Sequence, residues 1–213
     1  MLIAIPVFDA FTALDAIGPY EVLQRLPGAD VRFIGHRVGP VRTENGMLAV
    51  VADAAFADVP APDVVVVPGG IGTRALLTDE LILDWIGTAH ATSAWTTSVC
   101  TGSLLLAAAG LLDGLEAATH WAARSTLGEL GAVPVVDRVV VHRERRIMTA
   151  AGVSAGIDMA LTLAEALFDT TTAAAMQLMV EYDPRPPFDS GSIEKATPAV
   201  VERLAELRAA VKG

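Results

Sequence analysis

Short runs of aliphatic and β-branched residues, Leu2–Phe8, Val31–His36, Asp63–Val67 and Ala94–Val99, are separated by stretches whose apolar residues recur at helical spacing. Leu2–Phe8 is apolar throughout, and Asp63–Val67 carries four consecutive valines. Strands of this kind are covered on both faces, which in a folded domain means a mainly parallel sheet with helices above and below it. Thr12–Leu26, Asp79–Ala91, Thr101–Leu112, Ser154–Phe168, Thr170–Tyr182 and Pro198–Val211 read as the helices. Asn45-Gly46, inside Val38–Val51, is a favoured hairpin turn, and Val135–His142 with Arg146–Ala150 reads as a second hairpin turning through Arg143–Arg145. No repeat or interior linker interrupts the pattern, so residues 1–213 are expected to form one α/β domain. The only Pro-rich stretch, Asp183–Gly191, is short; from sequence it fits an arch over the site or a crossing of a dimer interface equally well.

Composition narrows the function classes. Fifteen Lys+Arg against 25 Asp+Glu give a net charge of −10, so attraction to a phosphate backbone is not expected. The start, MLIAIPVFDAF, has no basic region ahead of its apolar residues and does not read as a signal peptide. Residues 91–112 carry no charge, which is long enough for a membrane span, but seven of them are Ser or Thr and Gly102 and Gly110 interrupt the run. A buried strand, turn and helix fit better, in a cytoplasmic protein with no membrane contact. One Cys and four scattered His offer no metal-ligand cluster, and neither a dinucleotide fingerprint nor a phosphate loop is present; no metal and no cofactor are expected.

In parallel sheets, ligands bind beyond the carboxyl ends of the strands. The single cysteine, Cys100, lies there, in Ser98-Val99-Cys100-Thr101-Gly102-Ser103. A residue on such a strand-to-helix elbow projects from the sheet edge, and a helix N-terminus favours thiolate over thiol. A small buried Cys that merely packs in the core fits the spacing as well. Two nearby features bear on the choice. Val67-Pro68-Gly69-Gly70 ends a neighbouring strand and can aim backbone N–H groups into the same space, although it also reads as an ordinary tight turn. Asp15 sits among Ala, Leu and Ile directly after the first strand. It is either a helix-terminal acid or, if it lies over the strand ends, a desolvated carboxylic acid able to hold a proton beside the cysteine.

The segments VVVVPGG, SVCTGSLLLAAAGLLDG, ATHWA, AAGVSAGIDMAL and EYDPRPPFDSG, in that order from Leu2 to about Gly191, resemble the ThiJ/PfpI superfamily, and within it the isocyanide hydratase group. The resemblance implies a flavodoxin-like α/β sandwich with a cysteine nucleophile elbow, a homodimer, and a cofactor-independent hydro-lyase acting on a small neutral isocyanide. Carried over by position, Cys100 is the nucleophile and Asp15 the general acid and base. Thr101 assists catalysis, and Gly70 borders the sulfur and the substrate with its backbone N–H. His120 matches a histidine that some relatives place near their cysteine; here a structural role is expected. The glycine-containing stretch Ala150–Val153 is expected close to the sulfur, and His36, His90, His142 and the three Trp are expected to be packing or surface residues. A glyoxalase-like activity, which would form lactate and need His120, and a ligand- or redox-sensing domain without catalysis are the alternatives. A DNA-binding regulator would need about a hundred more residues carrying two DNA-reading helices.

Overall fold

In a computed structural model, residues 1–211 are described. They gather into two compact units, Met1–Val180 and a second that begins at Glu181. The first contains β1 (Leu2–Pro6), α1 (Ala13–Leu23), β2 (Asp30–Gly35), β3 (Gly39–Arg42), β4 (Ala49–Ala52), β5 (Ala54–Ala55) and β6 (Val64–Val67). It continues with α2 (Glu80–Thr92), β7 (Trp95–Val99), α3 (Gly102–Ala108), β8 (Glu116–Ala117), α4 (Arg124–Glu129), β9 (Val133–Pro134), β10 (Val139–His142), β11 (Ile147–Ala150), α5 (Ala155–Leu167) and α6 (Thr170–Met179). The second unit holds α7 (Pro198–Val211).

Seven strands form one sheet in the order β10-β11-β7-β6-β1-β2-β5. Every pairing is parallel except β10 with β11, the hairpin expected around Arg143–Arg145. The central strands β1, β6 and β7, with β11 beside them, are buried almost throughout, beneath α1 packed with α5 and α2 packed with α3; β1 and β6 are apolar runs, whereas β7 carries Thr96, Thr97 and Ser98 into the interior. The Asn45-Gly46 signal turns the separate β3–β4 hairpin, with Gly46 at φ +70°.

Several helices are shorter than their apolar patterns. The Thr101–Leu112 pattern yields only Gly102–Ala108, because Gly110 adopts φ +77° and turns the chain out of the helix. The segment between Leu112 and Val135, to which the periodicity assigns no element, contains α4 and the small parallel pair β8–β9; their small, mixed residues carry little periodicity.

The elbow depends on a close approach. A Cβ on Gly102 would meet the Val67 carbonyl oxygen and lie 2.9 Å from that of Pro68. Gly102→Ala therefore gains up to about 1 kcal/mol of helix propensity but loses roughly 1–3 kcal/mol to overpacking against backbone that cannot retreat. The loss wins, and thermal unfolding is expected to fall by a few degrees, roughly 2–8 °C. An unchanged or raised midpoint would show that α3 can withdraw from β6.

Candidate active site

Cys100 follows the last residue of β7 and adopts φ +56°, a left-handed conformation costing roughly 1–2 kcal/mol for a residue with a Cβ. Four hydrogen bonds hold it there. Its N–H is shared between the carbonyls of Ala150 and Ala151, both at 3.1 Å, while its own carbonyl accepts from Ser103 Oγ (3.1 Å) and Thr119 Oγ1 (3.0 Å). The result is a rigid elbow with Cys100 5% exposed. The N–H groups of Thr101 and Val153 are directed at the sulfur. Val153 itself has φ +44°, a strained value for a β-branched residue.

Asp15 reaches the same place from α1. It occupies the first turn of that helix and is fully buried. Its Oδ2 accepts the Gly69 N–H at 2.9 Å, and its Oδ1 has no hydrogen-bond partner among the described residues. Burial pushes the Asp15 carboxyl up to about 7, against the opposing pull of the Gly69 N–H and the Cys100 thiol, with the Glu44 charge adding to the rise. Burial, with the neighbouring Asp15 charge, pushes the Cys100 thiol up to about 12, the N–H groups of Thr101 and Val153 offsetting only part of the rise. The helix N-terminus, expected to favour thiolate over thiol, is outweighed here. α3 has only seven residues, and desolvation beside a carboxylate outweighs its field. The pair behaves as a unit: above about pH 7 it holds one proton between two buried groups, and below that it takes a second.

The Pro68-Gly69-Gly70 turn links the two arms. Gly69, not Gly70, touches Asp15. Gly70 gives its N–H to Thr101 Oγ1 (2.8 Å), and that hydroxyl donates to the Gly70 carbonyl at 3.1 Å. Gly70 therefore locks Thr101 to the turn, and its N–H is not turned toward the sulfur as expected. Gly69 must be glycine for space: a Cβ would lie 2.5 Å from Thr101 N and 3.0 Å from Asp15 Oδ2. The sequence signal for Gly69 was present in the Gly-Gly pair, but nothing local told the two glycines apart.

His120 caps a short helical turn, its Nδ1 accepting the Ala122 N–H at 3.2 Å, and its ring packs against Gly152, where an added Cβ would lie 2.6 Å from Cδ2. It supports the loop that presents Val153. Trp85 stacks on Phe56 and donates to the Val59 carbonyl at 2.8 Å, as a core aromatic should. His36 pairs with Asp79 (2.9 Å), His90 with Thr96 (3.0 Å) and His142 with the Glu116 carbonyl (2.7 Å). Among the described residues no three His, Cys, Asp or Glu side chains gather as a metal site, and no helix is long and apolar enough to cross a membrane.

One residue near the site carried no signal in the sequence. Glu44, in the exposed turn between β3 and β4, accepts from Thr12 Oγ1 at 2.9 Å and from the Ile71 N–H at 3.1 Å. An acidic hairpin turn reads as a solvated surface, and only the tertiary structure brings it to the Asp15 loop.

These features have counterparts in known proteins. The isonitrile hydratase of Pseudomonas putida is 47% identical over 196 residues, covering 92% of this chain and 85% of that protein. The HTH-type transcriptional regulator GbdR of Pseudomonas aeruginosa is 28% identical over 184 residues, which make up 83% of this chain but only 49% of the regulator. Among solved structures, a THiJ/PfpI family protein from Pseudomonas syringae superposes with a TM-score of 0.91 at 40% identity, covering 98% of this chain and 86% of that one. The oxidized DJ-1 of Toxoplasma gondii, at 23% identity, shares the fold with a TM-score of 0.75 over 86% of this chain and 99% of its own. The DJ-1/PfpI family profile matches residues 1–166, and the chain belongs to that family.

Proposed function

We propose that this chain adds water to an isocyanide to give an N-substituted formamide, using Cys100 as nucleophile and Asp15 as general acid and base. The observation that carries the reading is the buried Asp15–Cys100 pair, whose acid titrates at about 7 and whose sulfur faces two backbone N–H groups. The 47% identical isonitrile hydratase supports the same chemistry.

An isocyanide carbon takes a nucleophile and a proton at the same atom, so the two groups that deliver them must stand side by side. Ionised Asp15 accepts the Cys100 proton as the sulfur attacks, then returns it to the same carbon. An S–C and a C–H bond form, no group leaves, and a neutral thioimidate results. Asp15 next takes a proton from water as its oxygen adds to that carbon, and passes it to nitrogen. The C–S bond then breaks as the formyl carbonyl forms, and the hydroxyl proton returns to sulfur. Water's oxygen ends on carbon, and the thiol is regenerated. The Thr101 and Val153 N–H groups stabilise the departing thiolate. Thr101, tied to Gly70, and Gly69, bonded to Asp15, keep the acid over the sulfur. A neutral substrate suits a site that desolvates both of its ionisable groups.

The test is direct. Incubation with an aryl isocyanide should yield the formamide, followed by mass spectrometry. Absence of product from a folded, reduced protein sinks the hydratase reading, and lactate from methylglyoxal would replace it. We further infer a single functional domain across residues 1–213 in a cytoplasmic setting and, as the resemblance implies, a homodimer; sedimentation showing a monomer at micromolar concentration would remove the dimer.

A further inference from the structure

We propose that Glu44 is the charged rim of the cysteine site, clasping the Asp15 loop to the glycine turn and selecting neutral or cationic substrates over anionic ones. The geometry carries this. Phe11 bridges Thr43 on one side and Gly70 on the other, so the β3–β4 hairpin, the loop ahead of α1 and the turn after β6 lie edge to edge. The Glu44 N–H donates to the Phe11 carbonyl at 3.2 Å, which brings its carboxylate across that seam. There one oxygen, Oε1, accepts from both Thr12 and Ile71. Thr12 is the residue that starts α1, and its hydroxyl caps no helix N–H because it is committed to Glu44. Asp15 follows three residues later, and Ile71 directly follows Gly70. The carboxylate thus grips both arms of the site while remaining exposed. That its charge is felt at Asp15 agrees with this placement.

A fixed negative charge at the rim repels anions on their way to a desolvated sulfur and attracts cations. The inference takes its substrate class from the hydratase reading, but its test does not require that activity. Cys100 is the only cysteine, so its modification reads the site alone. Methanethiosulfonates suit this: the sulfur displaces methanesulfinate and forms a mixed disulfide, and the reagent can be neutral (methyl), cationic (trimethylammonioethyl) or anionic (sulfonatoethyl).

In Glu44→Gln, which keeps an oxygen to accept from Thr12 and Ile71, the cation-to-anion rate ratio is expected to fall roughly tenfold. That is the size for one unit charge acting on opposite signs across several ångströms of partly wet protein, with the neutral reagent changing less than about twofold. Glu165→Gln removes the same charge ten residues along α5, roughly 15 Å from its start near Val153, and should leave the ratio unchanged. An unchanged ratio in Glu44→Gln, or an equal fall in Glu165→Gln, overturns the proposal. Should Glu44→Gln fail to fold, the wild-type protein decides, since its ratio must shrink toward unity from about 20 mM to about 1 M salt. A salt-independent ratio overturns the proposal. A chain that sorts reagents by charge but hydrates no isocyanide keeps this inference and loses the hydratase reading. One that hydrates isocyanides without sorting keeps the hydratase reading and loses this one.

Discussion

Cys100→Ala is expected to abolish formamide formation, lowering kcat/KM by at least roughly 10⁴-fold, which corresponds to more than about 5 kcal/mol of transition-state stabilisation. The loss should come without unfolding. Alanine adopts φ +56° no less readily than cysteine, and the four hydrogen bonds that hold the elbow all use the backbone of residue 100. Cys100→Ser tests the same point more sharply: it keeps a small polar group, but a hydroxyl in a site that already pushes a thiol up to about 12 is a far weaker nucleophile. Product formation is followed by mass spectrometry and folding by thermal unfolding. Either variant retaining more than about 1% of wild-type kcat/KM would remove Cys100 from the mechanism, because general-base activation of water by Asp15 alone accounts for no more than roughly 10²–10⁴-fold of the rate.

Asp15→Asn should lower kcat/KM by roughly 10²–10⁴-fold and also remove its pH dependence. In the wild type the competent pair holds one proton. Below pH 7 Asp15 takes a second and can no longer accept from the thiol, so kcat/KM should rise with pH through an apparent value of about 7 and then level off. The asparagine variant lacks that limb. Its stability should move in the opposite direction from its activity. Asp15 is raised in the folded protein from 3.8 to about 7, so its favourable contribution is complete below pH 3.8 and is lost as pH rises through 7. Above pH 7 the wild type carries a buried carboxylate that asparagine does not. The variant should therefore be more stable there, with an upper bound on the order of 4 kcal/mol. Urea unfolding at pH 4 and pH 8 checks this: the two proteins should converge at the lower pH and separate at the higher. A variant that is fully active would leave Asp15 as a helix-terminal acid, and one equally stable at pH 8 would mean that the carboxyl is not desolvated.

Much of this site was legible because its parts belong to short, strongly patterned segments. The valine strand ending in Pro68-Gly69-Gly70 and the uncharged run through Cys100 each announce a parallel strand meeting a sharp turn. Parallel topology then places such turns at one edge of the sheet. Asp15 was legible as an anomaly, an acid on an apolar helix face. Glu44 was not: its role depends on a hairpin folding back across Phe11, and nothing in Thr43-Glu44-Asn45-Gly46 differs from an ordinary solvated turn.

By itself the sequence determined the parallel α/β architecture and the cysteine elbow, because hydrophobic periodicity and turn chemistry are local properties that survive any rearrangement elsewhere. Only the tertiary structure decided the protonation of the pair and the choice of contacts around it. It put Gly69 rather than Gly70 on Asp15 and Val153 at the sulfur, and it raised the thiol that a helix terminus was expected to acidify. These outcomes depend on burial and on distances between segments far apart in the chain. Desolvation in particular belongs to the packed surroundings of a group, and a string of residues does not contain it.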